Sequence, residues 1–123
     1  MNFNENKAIY LQLADRIMDA IVAGRFTAGG RIPSVREYAA EVEVNPNTVV
    51  RTYEYLEQRE IVYNKRGLGY FVADTAVETI MSLRRAVFDS DELPYFFERL
   101  AYFGFDSERL GKEYEEYLNS KKQ

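Results

Sequence analysis

The sequence predicts a mainly α-helical chain with one small β-hairpin: a winged helix-turn-helix over residues 1–73, followed by a short helical dimerisation region over residues 74–123. Three observations carry this. Two helix-start signals, Ser34-Val35-Arg36-Glu37 and Asn45-Pro46, stand close together. Two β-branched and aromatic triplets then enclose a glycine-bearing tip, and apolar residues recur at helical spacing on both sides of that block. At 123 residues the chain suits one domain, or a small domain with an appendage.

The first helix is expected from Ala8 to Ala23, because Ile9, Leu13, Ile17 and Ile21 recur every four positions and Gly24 is placed to end the run. Phe26 to Pro33, with Gly29-Gly30, reads as a connector. Ser34-Val35-Arg36-Glu37 is a capping box: the Ser hydroxyl accepts from the third helical amide and the Glu reaches back to the cap amide. A helix of about ten residues comes next, its inward face Val35, Tyr38, Ala39 and Val42, ending at Glu43-Val44. Asn45 is a favoured N-cap and Pro46 a favoured first helical residue, so the third helix begins there, burying Val49, Tyr53 and Leu56.

Ile61-Val62-Tyr63 and Tyr70-Phe71-Val72 read as a hairpin around Asn64-Lys65-Arg66-Gly67-Leu68-Gly69, the wing. Thr75-Ala76-Val77-Glu78 repeats the capping-box pattern and opens a fourth helix to about Asp89. Breaks at Ser90-Asp91 and Phe105-Asp106-Ser107 divide the remainder into two further helices.

With neither Cys nor His, the chain lacks the means for disulfides, thiolate or imidazole metal sites and Cys- or His-dependent nucleophiles; no enzyme, cofactor or metal is expected. Ser34, without a His, is read as a cap rather than a nucleophile. Met1-Asn2-Phe3-Asn4-Glu5 shows no basic region leading into an apolar run, and no stretch is long enough to span a bilayer, so a cytoplasmic protein without a membrane partner is expected. The net charge of −4 is not that of a basic nucleic-acid binder. Residues 1–72 carry 9 basic and 9 acidic side chains, residues 73–123 carry 7 and 11, so the acidity lies in the second part and placement must decide.

A helix-turn-helix braces one helix across the DNA backbone while the next offers its first residues to the major groove, across a turn of three or four residues. The second and third helices fit. Asn47, Thr48 and Arg51 supply donors at the reading end, and Arg36, Lys65 and Arg66 add positive charge. The acidic Glu41, Glu43, Glu54, Glu57 and Glu60 would then have to point away.

Ile9-Tyr10-Leu11-Gln12-Leu13, Ile32-Pro33-Ser34-Val35-Arg36-Glu37, Val44-Asn45-Pro46-Asn47-Thr48-Val49 and Gly67-Leu68-Gly69-Tyr70-Phe71-Val72 together resemble the GntR family of bacterial regulators. The Asn-Pro-Asn-Thr form and the short helical carboxyl terminus look most like its YtrA-type branch, whose members lack a large effector domain. The resemblance implies a transcription regulator, a repressor by expectation, that binds double-stranded DNA through Ser34, Arg36, Asn45, Pro46, Asn47, Thr48, Arg51, Lys65, Arg66 and Gly67. Many relatives have basic residues where this chain has Pro46 and Val50, so operator preference does not transfer. The effector, if any, is unknown.

The aromatic-rich carboxyl-terminal helices read as core, dimer surface or small-molecule pocket. Three short helices bury so many rings poorly alone, whereas two copies about a two-fold axis cover them. The expected homodimer surface is Ile80, Leu83, Val87, Phe96, Phe97, Leu100, Phe103, Tyr114, Tyr117 and Leu118. The rival reading is a winged helix that binds protein within a larger assembly.

Overall fold

A computed structural model describes residues 7–122; the reading of Met1 to Glu5 lies outside the described residues. In chain order the elements are α1 (Ile9–Val22), α2 (Val35–Val42), α3 (Pro46–Gln58), β1 (Val62–Lys65), β2 (Gly69–Val72), α4 (Ala76–Val87), a π-helical segment (Phe88–Glu92), α5 (Leu93–Tyr102) and α6 (Ser107–Lys121). No helix among the described residues is long and apolar enough to cross a membrane.

Two compact units part between Leu83 and Arg84. In the first, the α1 stripe buries Leu13, Ile17 and Ile21 together with Ala14, Met18 and Ala20, while Ile9 stays exposed. Facing it are Val49, Tyr53 and Leu56 of α3, with Ile32, Tyr38, Ala39, Ile61, Val62 and Val72 completing the core. Burying a side chain of that size contributes about 1.5–3 kcal/mol, so these residues dominate the unit's cohesion.

The hairpin pairs Val62 with Val72, Tyr63 with Phe71, Asn64 with Tyr70 and Lys65 with Gly69, leaving Arg66-Gly67-Leu68 as the tip. By sequence, residues 26–33 are a plain connector. The structure instead lays residues 29–32 along the hairpin: Gly29 N donates to Val72 O at 2.8 Å, Ile32 N to Tyr70 O at 2.9 Å, and Arg31 bridges Phe71. Paired this way, β2 has a neighbour on both sides, so its backbone groups are satisfied and the wing root is stiffened.

The unit boundary falls ten residues beyond the expected change at 73/74. The first two turns of α4 belong to the first core: Ala76 and Ile80 are fully buried in it and Leu83 packs against it. Ile80 is therefore withdrawn from the expected dimer surface, and Leu83 is largely committed inward. The expected break at Ser90-Asp91 is also absent, since the backbone stays helical from α4 through the π-helical segment into α5. Pro94 supplies the reason. In a regular α-helix its ring would meet the carbonyl four residues back and its missing N–H would leave a gap. Here Leu93 N donates five residues back to Phe88 O, and that wider turn admits the proline without ending the helix.

In the second unit, Gly104 at φ +77° ends α5, and Asp106 caps α6 by accepting from Arg109 N at 2.8 Å. No described residue of the π-helical segment, α5 or α6 is buried. The faces left open carry Phe88, Phe96, Phe97, Tyr102, Phe103, Tyr114 and Tyr117.

Candidate nucleic-acid interface

The expected reading residues fall on three segments of the first unit: the start of α2, the start of α3 and the hairpin tip. At α2 the capping box is complete, with Ser34 Oγ accepting from Glu37 N at 3.1 Å and Glu37 Oε1 accepting from Ser34 N at 2.8 Å. The Ser34 backbone N–H first, then the Ser34 hydroxyl, with Arg31 nearby, hold the Glu37 carboxyl below its ordinary pKa. Ser34 is half-buried and its hydroxyl serves the cap, whereas Arg36, in the same turn, is exposed.

A three-residue turn, Glu43-Val44-Asn45, separates α2 from α3. Glu43 makes the reversal in a left-handed conformation, φ 57° and ψ 49°, its N–H donating to Ala39 O. Asn45 then caps α3, Oδ1 accepting from Asn47 N at 2.8 Å, and Pro46 occupies the first turn. Asn45, Pro46, Asn47 and Arg51 are exposed and Thr48 is half-buried. The first turn of α3 thus presents polar side chains at the positive end of the helix, a combination suited to phosphate oxygens and base edges.

Anchors from behind fix this end. Tyr53, fully buried, donates its hydroxyl to Pro33 O at 2.6 Å, tying α3 to the segment that leads into α2. Burial pushes its phenol far above the ordinary value, so it stays a donor. Its ring meets Tyr70 of β2 edge-on at 4.9 Å, which couples α3 to the wing. The phenol of Tyr70 is likewise raised, by burial first and then by the charges of Glu57 and Glu54.

At the wing, Gly67 (φ +80°) and Gly69 (φ +113°) take backbone conformations that L side chains rarely adopt. Gly69 has a second constraint, since a Cβ there would stand 3.0 Å from Arg31 Nε. Arg31, absent from the residues expected at the interface, also lies 3.7 Å from Glu37 Oε1, so one guanidinium bridges the wing to the first turn of α2. The only sequence signal for it is a basic residue just before Ile32-Pro33-Ser34, in a segment that reads as a connector. Lys65 is exposed, and its ammonium lies 4.7 Å from the Phe71 ring centre and 5.7 Å from that of Tyr63. Arg66 and Gly67 hold the exposed tip.

The sequence profile of bacterial regulatory proteins of the gntR family matches residues 9–72. The chain is 46% identical over 74 residues to YhcF of Bacillus subtilis (strain 168), an uncharacterized HTH-type transcriptional regulator, a match taking in 60% of this chain and 61% of that one, under two thirds of its length. It is 29% identical over 102 residues to the HTH-type transcriptional repressor YtrA of the same organism, covering 83% of this chain and 78% of YtrA. Among solved structures, a GntR-family protein from Bacteroides thetaiotaomicron matches with a TM-score of 0.83 and 50% identity, over 92% of this chain and 99% of that one.

Proposed function

Because this chain belongs to the bacterial GntR family, in its YtrA-type branch, and is therefore a DNA-binding transcriptional regulator, we propose that it is a repressor that grips a roughly palindromic operator as a homodimer. The observation that carries the reading is the start of α3. Asn47, Thr48 and Arg51 stand at a capped helix end, braced from behind by Tyr53 and flanked by a wing whose tip is Arg66-Gly67. Such an end enters a major groove while the wing and Arg36 meet phosphate. Arg31, by its place between α2 and the wing, joins the phosphate contacts.

Support for the homodimer comes from the second unit, whose helices carry Val87, Phe96, Phe97, Phe103, Tyr114 and Tyr117 uncovered. An apolar surface of that kind is normally closed by a partner, and a second copy about a two-fold axis places two reading helices on successive major-groove turns.

Binding is tested on a duplex carrying the sequence that the wild-type chain enriches from random DNA. Replacing Arg36 or Arg51 by Ala is expected to weaken it by about 1–3 kcal/mol where the side chain contacts a base. Affinity should also fall steeply with added salt as counterions return to the phosphates. Unchanged gel-shift midpoints would remove both residues from the interface, and a flat salt response would favour a protein-binding winged helix instead. A stable monomer by sedimentation at micromolar concentration would overturn the homodimer.

A further inference from the structure

Three residues of α3 converge on one residue of α1. The Arg51 guanidinium carbon stands 4.1 Å from the centre of the Tyr10 ring. Tyr55, one turn further on, meets the same ring edge-on with centroids 6.3 Å apart. Between them, Thr52 donates its hydroxyl toward the Tyr10 carbonyl oxygen at 2.9 Å. Tyr55 is itself held on its other side by Arg59, whose guanidinium carbon lies 3.7 Å from that ring's centre. The array Arg51, Tyr10, Tyr55, Arg59 therefore joins two edge-to-face rings to two cations, and Tyr10 is its anchor in a different helix.

Arg51 is exposed, and an exposed arginine ordinarily samples many rotamers that it must give up on binding. A guanidinium stacked on an aromatic face keeps its edge donors free while its plane is fixed. We infer that Tyr10 is a positioning residue for DNA recognition: its ring holds the Arg51 side chain in the free protein in the orientation that the DNA-bound state uses. The inference rests on the reading that Arg51 touches DNA. It assigns α1, otherwise a core helix, a part in the affinity of α3 that acts through Arg51.

The test compares Tyr10→Leu, which keeps apolar volume but removes the π face, with Tyr10→Phe, which keeps the ring. The 123-residue chain is titrated onto a duplex carrying the wild-type-selected site. Tyr10→Leu is expected to weaken binding about three- to tenfold, while Tyr10→Phe stays within about twofold of wild type. In an Arg51→Ala background Tyr10→Leu should have no further effect, which a merely structural role for Tyr10 would not produce. In the free protein, the NMR signal of the Arg51 Nε–H should show ring-current displacement and restricted motion, both lost in Tyr10→Leu and kept in Tyr10→Phe. Arg51→Ala weakening binding while Tyr10→Leu does not, or the two losses simply adding, overturns the inference and leaves the DNA reading in place. Arg51→Ala without effect removes the Arg51 contact and the inference together.

Discussion

Ser34, Asn45 and Asp106 each start a helix with a side-chain oxygen that accepts from a backbone N–H of the first turn, the first two in the amino-terminal unit and the third in the carboxyl-terminal one. The helices behind these caps differ. Those begun by Ser34 and Asn45 bury Tyr38, Ala39, Val49, Tyr53 and Leu56, whereas behind Asp106 nothing in α6 is buried, and nothing in α5 is either. Caps decide where a helix begins; burial decides whether it has a reason to stay. The first unit contains its own reason, and the second has to find one outside its described helices.

The largest expected effect lies where burial is complete. Leu56→Ala, at a residue with no exposed surface, should destabilise the chain by about 2–5 kcal/mol in urea unfolding at fixed protein concentration. Truncating Phe97, 52% exposed, should change the unfolding of the protomer itself by less than about 0.5 kcal/mol. Equal costs at the two positions would break the contrast between the units. A second substitution sharpens it: Phe97→Glu should leave the first unit's stability intact and weaken self-association by about 2 kcal/mol, a shift of roughly thirtyfold in the dissociation constant measured by sedimentation. Sedimentation unchanged from wild type would mean that Phe97 is covered by something other than a second copy.

The same division explains what the sequence revealed. Every element with a local chemical signature was legible: the capping box at Ser34, the Asn45-Pro46 start, the three-residue turn, the hairpin around Gly67 and Gly69, and the break at Asp106. Long-range placement was not. Ile80 and Phe97 look alike as apolar positions on helices, and only the fold shows that Ile80 completes the first core while Phe97 stays open. The bridge of Arg31 between the wing and α2 depends on residues 29–32 lying beside β2, which no local pattern announces. The helical passage over Ser90-Asp91 was hidden because two good breaker residues were outweighed by a five-residue hydrogen bond that accommodates Pro94. The turn before α3 runs through Glu43 in a left-handed conformation that local propensity assigns to Gly or Asn. Glu43→Gly should accordingly stabilise the first unit by about 1 kcal/mol, and a loss on that substitution would show that the Glu43 side chain does more than tolerate its backbone.

Smaller effects separate the cap from the core it introduces. Ser34→Ala removes one side of the capping box and should cost about 1 kcal/mol, less than the Leu56 truncation although both act on the helix-turn-helix. A cost as large as that of Leu56→Ala would mean that local start signals carry the unit.

The subtlest expectation concerns the other half of that box. The Glu37 carboxyl is held below its ordinary pKa, first by the Ser34 backbone N–H, then by the Ser34 hydroxyl, with a minor contribution from Arg31. A folded-state pKa below the unfolded one means that folding favours the ionised form. The stabilisation is therefore fully present above the unfolded carboxylate pKa, near 4.5, and is lost as pH falls through the lower folded value. Glu37→Gln keeps an oxygen that can accept from Ser34 N but has no proton to gain. The thermal midpoint of the wild type should thus lie above that of Glu37→Gln at pH 6, and the gap should close as pH is lowered toward 3. A gap that stays constant would show that the box holds through shape and hydrogen bonding alone. One that widens would overturn the assignment of this stabilisation to the Glu37 carboxyl. Asp106, the exposed cap in the unit without a core, offers the control: its loss should alter the start of α6 and leave the unfolding of the first unit, at any pH, where it was.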